Sequence, residues 1–189
     1  MLSSNTSMIL WRYAAIERAA QNLIESHCGL ICANCGTCCC RADICEEAFD
    51  STLLMRLHGE KKSSVHFSDR TGWLTEQGCT LGLGRPPVCY EFFCDDILGH
   101  LPDDTHRYVL QTLGKLVSHV AYSPAGKSRL INLRTDEELE QMSHEPFCER
   151  YEEAKAALLK IQMFYHVGEL GPDGVEPLRK INEPPPSLT

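Results

Sequence analysis

The crowding of cysteines in the first half of the chain is the feature that most restricts its fold. Five cysteines fall within CANCGTCCC at positions 32–40, and ten of the 11 lie within residues 28–94. From about 63 to 102 the hydrophobic periodicity fails, and glycines and prolines break the chain into short segments. Such a stretch buries too little apolar surface to hold itself together, and a bound metal ion is a known substitute for a core.

Charge and hydropathy restrict the location and the partners. The formal net charge is -8 at pH 7, which disfavours nucleic acid and anionic membrane surfaces as partners. The first residues lack the basic start of a secretory signal, and Arg12, Glu17 and Arg18 interrupt their apolar run. No stretch approaches the roughly 18 apolar residues of a transmembrane helix. We therefore expect a cytoplasmic protein with reduced thiols that bind metal or do chemistry instead of forming disulfides.

Helical periodicity flanks the cysteine-rich part. Apolar residues at spacings of three and four predict a helix over 8–27, with Gly29 as its stop. Asp43 and Glu46 have capping-box spacing and predict a second helix over about 43–58, ending near Gly59. Farther on, Asp103 or Asp104 is expected to cap a helix of about 105–121. Thr135 and Glu138 form another capping box, and the strongest periodicity covers 145–166.

Strands are few in this prediction. WLTEQGCTL (73–81) has the pattern of a hairpin, SRLINLRT (128–135) that of one strand, and 182–189 that of a disordered tail. The expected fold is mainly α, in a single domain over 1–189. A helical scaffold carries an irregular, loop-rich cysteine lobe over 28–102, with at most a short β-hairpin.

The first cysteine motif, Cys32-x-x-Cys35-x-x-Cys38-Cys39, has the spacing of metal ligands. A Cys-x-x-Cys turn brings two sulfur atoms close enough to share one metal ion. Gly36 after Cys35 lets backbone amides turn toward the sulfurs. Thiolates are the favoured ligands of zinc, copper(I) and the iron of iron–sulfur clusters.

A second set of cysteines follows in GCTLGLGRPPVCYEFFC, at Cys79, Cys89 and Cys94. Cys89 and Cys94 are five residues apart, which puts them on one face of neither a helix nor a strand. They could converge only across a bend. The sequence therefore predicts a loop or a helix start between them.

Together the two sets resemble the YkgJ-like cysteine-cluster family, described as a zinc- or iron-chelating CxxCxxCC domain. The resemblance covers about residues 30–95, and its matching positions are Cys32, Cys35, Gly36, Cys38, Cys39, Gly78, Cys79, Arg85, Pro86, Cys89 and Cys94. It implies metal chelation and leaves the biochemical role unsettled. Cys28, Cys40 and Cys45 are extra thiols outside the match, as is the helical C-terminal half.

The expected cofactor is zinc or iron, and the expected ligands are Cys32, Cys35, Cys38, Cys39, Cys79, Cys89 and Cys94. Four thiolates on one zinc leave a net charge of about -2. Arg85 and Arg41 are placed to offset this charge or to donate hydrogen bonds to the sulfurs. Seven thiols exceed one tetrahedral site. Two zincs with a bridging thiolate, one iron–sulfur cluster with spare thiols, or one metal with a reactive pair all fit.

Three functions stay open from the sequence. The first is a metal-chelating protein with zinc or iron. The second is an iron–sulfur protein that transfers electrons or supports a modification reaction, and the third is a redox-active dithiol protein using Cys38, Cys39 and Cys40. No catalytic motif is present. For each of Cys28, Cys40 and Cys45, a role as a metal ligand and a place in the core are equally expected. Cys148 is expected in the core.

Overall fold

The structure is a computed structural model that describes residues 3–34, 39–58, 67–75 and 78–184. Its helices are α1 (Ser4–Asn34), α2 (Ala42–Asp50), α3 (Thr52–His58), α4 (Val88–Glu91), α5 (Asp95–Gly99), α6 (Asp104–Ala121), α7 (Asp136–Gln141), α8 (Glu145–Val167) and α9 (Pro172–Asn182). The strands are β1 (Leu74–Thr75), β2 (Gly78–Cys79), β3 (Pro124–Ala125) and β4 (Ser128–Arg129). The predicted mainly α fold is confirmed.

Helix α6 is the centre of the packing, because α1, α4, α8 and α9 all lie against it. The apolar stripe that predicts this helix is buried throughout: Val109, Leu110, Leu113, Leu116, Val117 and Val120. Asp103 caps the helix, since its Oδ1 accepts a hydrogen bond from His106 N at 2.9 Å. No helix in the described part of the chain is both long and apolar enough to cross a membrane.

Helix α1 is longer than predicted, and Gly29 does not end it. The helix runs from Ser4 through Gly29 to Asn34. Glycine costs a helix interior about 1 kcal/mol relative to alanine, but Cys28 is buried and Ile31 packs on the core. Tertiary packing thus outweighs the local preference and carries Cys28 and Cys32 onto the scaffold helix.

The predicted helix over 43–58 is two helices. The chain is extended at Ser51, and the amide that this break releases, Thr52 N, donates to Leu133 O at 2.9 Å. Helix α2 begins after Arg41, without a side-chain cap, so the Asp43 capping box is wrong and Asp43 lies in the first turn. The end near residue 58 is confirmed, whereas Gly59 lies outside the described residues.

The strands form two short antiparallel pairs. β1 and β2 pair Leu74 with Cys79, which confirms the predicted hairpin. The strand predicted over 128–135 is mostly wrong, because β4 covers only two of its residues and pairs with β3. A 3-10 turn at Leu130–Asn132 follows and buries Leu130 and Ile131 in the core.

The C-terminal half ends in a helix that the sequence did not predict. α8 matches its prediction and ends at Gly168, which adopts the left-handed φ of 86°. α9 then returns along α6 and α8. Asn182 is not part of a disordered tail but the last residue of α9, and its Nδ2 donates to Thr112 Oγ1 at 2.8 Å. Residues 185–189 lie outside the described residues.

The predicted capping box of α7 is confirmed, and it gives a test of local stability. Thr135 Oγ1 accepts from Glu138 N at 3.2 Å, and the Glu138 carboxylate accepts from Thr135 N. We expect Thr135→Ala to lower the free energy of unfolding by about 1 kcal/mol in urea denaturation. Thr105→Ala is the control, because Thr105 is exposed in the first turn of α6. An equal loss in both variants would contradict the capping role.

Candidate metal centre

Three cysteines from separate parts of the chain lie near Cys89, beside the β1–β2 hairpin; we call Cys40, Cys45, Cys79 and Cys89 the hairpin thiol group. Cys40 precedes α2, Cys45 lies in its first turn, Cys79 ends β2 and Cys89 lies in α4. Part of the Cys89 residue is exposed to solvent. Burial of its thiol is nevertheless the main cause that raises the pKa of Cys89 to about 12. The charges of the other three raise it further, which places each of them within electrostatic range of Cys89.

Gly72 explains how the hairpin reaches α2. It has a φ of 57° and exchanges two backbone hydrogen bonds with Ser68. A Cβ atom at this position would lie 2.5 Å from Cys45 Sγ. The chain just before the hairpin therefore approaches Cys45 and α2 this closely only because residue 72 has no side chain.

A second set, the helix-end thiol group, consists of Cys28, Cys32 and Cys94. Cys28 and Cys32 are one turn apart on α1 and so share a face. Cys94 is the N-cap residue of α5, which packs on α1. Burial raises the pKa of Cys28 to about 11, and the charges of Cys32 and Cys94 add to this rise.

The bend predicted between Cys89 and Cys94 is present. α4 ends at Glu91, the chain is extended at Phe92, and α5 starts after Cys94. As a result, Cys89 belongs to the hairpin thiol group and Cys94 to the helix-end thiol group. Two cysteines of one sequence motif thus belong to two different groups of thiols.

The predicted ligands have different outcomes in the structure. Cys35 and Cys38, with Gly36, lie outside the described residues, and Cys39 is exposed between α1 and α2. The other four predicted ligands are members of the two groups, which also recruit Cys28, Cys40 and Cys45. Among the described residues, no three histidine, cysteine or acidic side chains are arranged to hold a metal ion.

Glu17 is the positioning residue that sequence reasoning missed. Its carboxylate is buried in α1 and accepts hydrogen bonds from Gly84 N at 2.9 Å, Arg85 N at 3.0 Å and Tyr90 Oη at 2.7 Å. The carboxylate thus holds the turn that leads into α4 and Cys89. A sequence signal existed, because Glu17 lies four residues after Tyr13 and three before Ala20, within the apolar stripe of α1.

The two predicted cations differ in placement. Arg85 Nε donates to Leu81 O at 2.7 Å, and the positive charge of Arg85 lowers the pKa of Cys89, opposing the burial. This agrees with a supporting role beside the thiolates. Arg41 pairs with the Asp43 carboxylate, and both side chains are exposed, so this bridge contributes little to stability.

The buried Glu17 carboxylate predicts a pH dependence of stability. Burial raises its pKa, and the three donors oppose this rise. The folded-state pKa of Glu17 thus lies above the unfolded value of about 4.3. The contribution of Glu17 to stability is then fully present below the unfolded pKa and is lost as the pH rises through the folded pKa. The free energy of unfolding of the wild type minus that of Glu17→Gln should therefore fall as pH rises above about 4.

Urea denaturation of both proteins between about pH 4 and pH 8 measures this difference, in which the titration of the thiols cancels. A difference that rises with pH would contradict the prediction. It would mean that the three hydrogen-bond donors outweigh the burial of Glu17 and hold its pKa below the ordinary value.

Comparisons with models of protein families, with curated proteins and with solved structures find no match to this chain. The resemblance to the YkgJ-like family is thus a prediction from the cysteine spacing. The thiols and the elements that carry them are the features that indicate a function.

Proposed function

We propose that this protein chelates zinc or iron through cysteine thiolates drawn from the two thiol groups and from the segment between α1 and α2. One observation carries the proposal: Cys45 of α2, Cys79 of β2 and Cys40 in the segment before α2 all lie within electrostatic range of Cys89 in α4. Cysteines that serve only as small core residues have no reason to collect in this way. The CxxCxxCC spacing and the YkgJ-like resemblance support the same function.

The chemistry of the donor set fits a soft metal ion. Burial is the main cause that raises the pKa of Cys89 and of Cys28, and the charges of neighbouring thiolates raise both further. A bound cation would offset that repulsion. Closed sets of thiolates favour zinc, which needs no redox chemistry from the site. Arg85 would offset the remaining negative charge. The net charge of -8 favours a metal ion over nucleic acid as the partner.

The segment between α1 and α2 completes the donor set in this proposal. The helix-end thiol group lies at one end of that segment, and Cys39 and Cys40 lie at the other. Cys35 and Cys38 are the remaining donors. Because metal binding and folding are coupled when the ligands come from loops, we expect metal removal to destabilise this lobe first.

The metal content of the anaerobically purified chain tests the proposal. We expect bound zinc or iron in stoichiometric amount, with a colourless solution and no labile sulfide if the metal is zinc. A brown absorbance with labile sulfide would identify an iron–sulfur cluster in its place. A chain without metal, which also takes up none when zinc or iron is added under reducing conditions, would refute metal chelation.

Single cysteine variants test the assignment of ligands. We expect Cys89→Ser to lose most of the bound metal and to unfold at lower urea concentration, because it removes a donor from the hairpin thiol group. Cys148→Ser is the matched control. Its sulfur is half-buried on α8 and accepts from Arg12 Nη1 at 3.3 Å. Full metal content in Cys89→Ser, measured by elemental analysis after gel filtration, would show that the ligand assignment is wrong.

A further inference from the structure

The outer face of α8 carries a row of exposed apolar side chains. Leu159, Met163 and Val167 follow one another at intervals of four residues, so they lie side by side along the helix. Each of the three is more than half exposed. With Ala156, three residues before Leu159, they line a hollow of about 620 Å³, to which Pro177 of α9 also contributes. We call Ala156, Leu159, Met163 and Val167 the outer row of α8.

Helix α8 is apolar on two opposite faces. Its inner face lies in the core, where Leu158, Ile161 and Phe164 are buried, and this face holds the helix on α1, α6 and α9. The outer face of such a helix is normally polar, and a helix that is apolar all round is normally covered all round. A contiguous exposed apolar patch marks an interaction surface. The outer row thus has the character of an interface.

Covering the middle of the outer row would not bury an uncompensated lysine. Lys160 lines the same hollow, but its Nζ donates to Asp173 Oδ2 at 2.5 Å. Gln162, which also lines the hollow, is neutral. A second apolar surface can therefore cover the row without the desolvation penalty that an unpaired ammonium would add.

Opposite charges flank the two ends of the outer row. Exposed Lys155 precedes the row, and its Nζ lies 3.6 Å from Glu152 Oε2, an exposed pair that contributes little. At the other end, exposed Glu169 lines a smaller hollow of about 210 Å³ together with Met163 and Val167. The charge nearest the row is thus positive at its first end and negative at its last.

This arrangement is complementary to itself when reversed. In an antiparallel pair of α8 helices with a two-fold axis at the level of Ile161, Leu159 of one copy lies opposite Met163 of the other. Lys155 then lies opposite Val167, so that its stem covers the valine and its ammonium reaches Glu169. A two-fold interface is isologous, so each of these contacts forms twice. A parallel pair would place like charges against each other at both ends.

We propose that the protein forms a two-fold dimer through the outer row of α8, with the two copies of the helix antiparallel. A second copy fits because the row meets a row of the same length and the opposite order of charges. The contact is small, which is typical of a weak, reversible dimer. The proposal does not depend on metal chelation, because α8 carries no member of either thiol group.

Sedimentation equilibrium of the full chain, in a reducing buffer that prevents intermolecular disulfides, tests this proposal. We expect the average mass to rise with protein concentration from that of one chain toward that of two. Met163→Glu places a charge in the middle of the row and should keep the chain monomeric over the same range. Trp11→Glu is the matched control, because Trp11 is exposed on α1, outside the row, and it should leave the dimer unchanged.

Charge reversals test whether the occupant is a second copy. Lys155→Glu and Glu169→Lys, each made alone, convert both end contacts into pairs of like charge. Each should weaken the dimer about twofold to thirtyfold. The double variant restores opposite charges and the net charge of the wild type, and it should recover most of the wild-type affinity. This recovery is specific to an antiparallel pair of identical helices.

Three results would overturn the proposal. The first is a wild-type chain that stays monomeric at every concentration, a measurement that does not depend on the folding of any variant. The second is a dimer of Met163→Glu as strong as that of the wild type. The third is a double charge reversal that binds no more tightly than the two single variants.

Discussion

The Glu17→Ala substitution should lower the free energy of unfolding by about 3–5 kcal/mol. The variant leaves two backbone amides, of Gly84 and Arg85, and the hydroxyl of Tyr90 without their acceptor in a buried site. Each unsatisfied buried donor costs about 1–3 kcal/mol. Gly84 and Arg85 belong to the turn before α4 and Tyr90 to α4 itself, so, under the proposed chelation, the metal content should fall together with the stability. Urea denaturation and elemental analysis measure the two effects.

Glu25→Ala is the control for this result. Glu25 is exposed on the same helix, and its removal should change the free energy of unfolding by less than about 0.5 kcal/mol. Glu17→Gln keeps one acceptor and should lie between the wild type and Glu17→Ala. If Glu17→Ala were as stable as Glu25→Ala, the carboxylate would not hold the turn, and another contact would have to position Cys89.

The long helices were predictable because one periodicity dominates each of them. The apolar stripe of α6 is buried from end to end and that of α8 is buried from Phe147 to Phe164. The caps of α6 at Asp103 and of the short helix α7 at Thr135 depend on residues only three positions apart. Such signals need no knowledge of the rest of the fold. The same reasoning failed at Gly29, where packing on the core continues the helix through a residue that usually ends one.

Features that depend on distant partners were not predictable. The break at Ser51 is stabilised by the bond from Thr52 N to Leu133 O, which joins residues 81 positions apart. Helix α9 has a proline at position 177 and a weak local signal, yet it packs on α6 and α8. A hydrophobic pattern over about ten residues cannot predict either contact, because the partners lie far away in the sequence.

The candidate site was predictable in composition but not in grouping. Spacing alone selects the cysteines as ligands, because Cys-x-x-Cys is a local feature. Assigning Cys45 to the same group as Cys79 requires the close approach at Gly72, and assigning Cys28 requires an unbroken α1. These contacts join elements that are far apart in sequence. The sequence alone therefore could not distinguish Cys28, Cys40 and Cys45 from cysteines of the core.

The contact between α4 and α6 gives the second large prediction. Glycine to alanine inside a helix usually adds about 1 kcal/mol of stability, but Gly114→Ala should remove about 1–3 kcal/mol or more. An added Cβ would lie 2.4 Å from Tyr90 O and 2.9 Å from Phe93 Cε2. A backbone oxygen cannot move aside without moving α4.

The displaced segment carries Cys89 and leads to Cys94, so, under the proposed chelation, Gly114→Ala should also lower the metal content. Gly29→Ala is the matched control in another helix interior, because its Cβ would meet only Glu25 Cγ at 3.6 Å, an ordinary contact. The two substitutions should therefore change the urea midpoint in opposite directions, and only Gly114→Ala should release metal. Equal stabilisation by both would mean that α4 does not rest on α6, and the placement of Cys89 beside the hairpin would then lose its support.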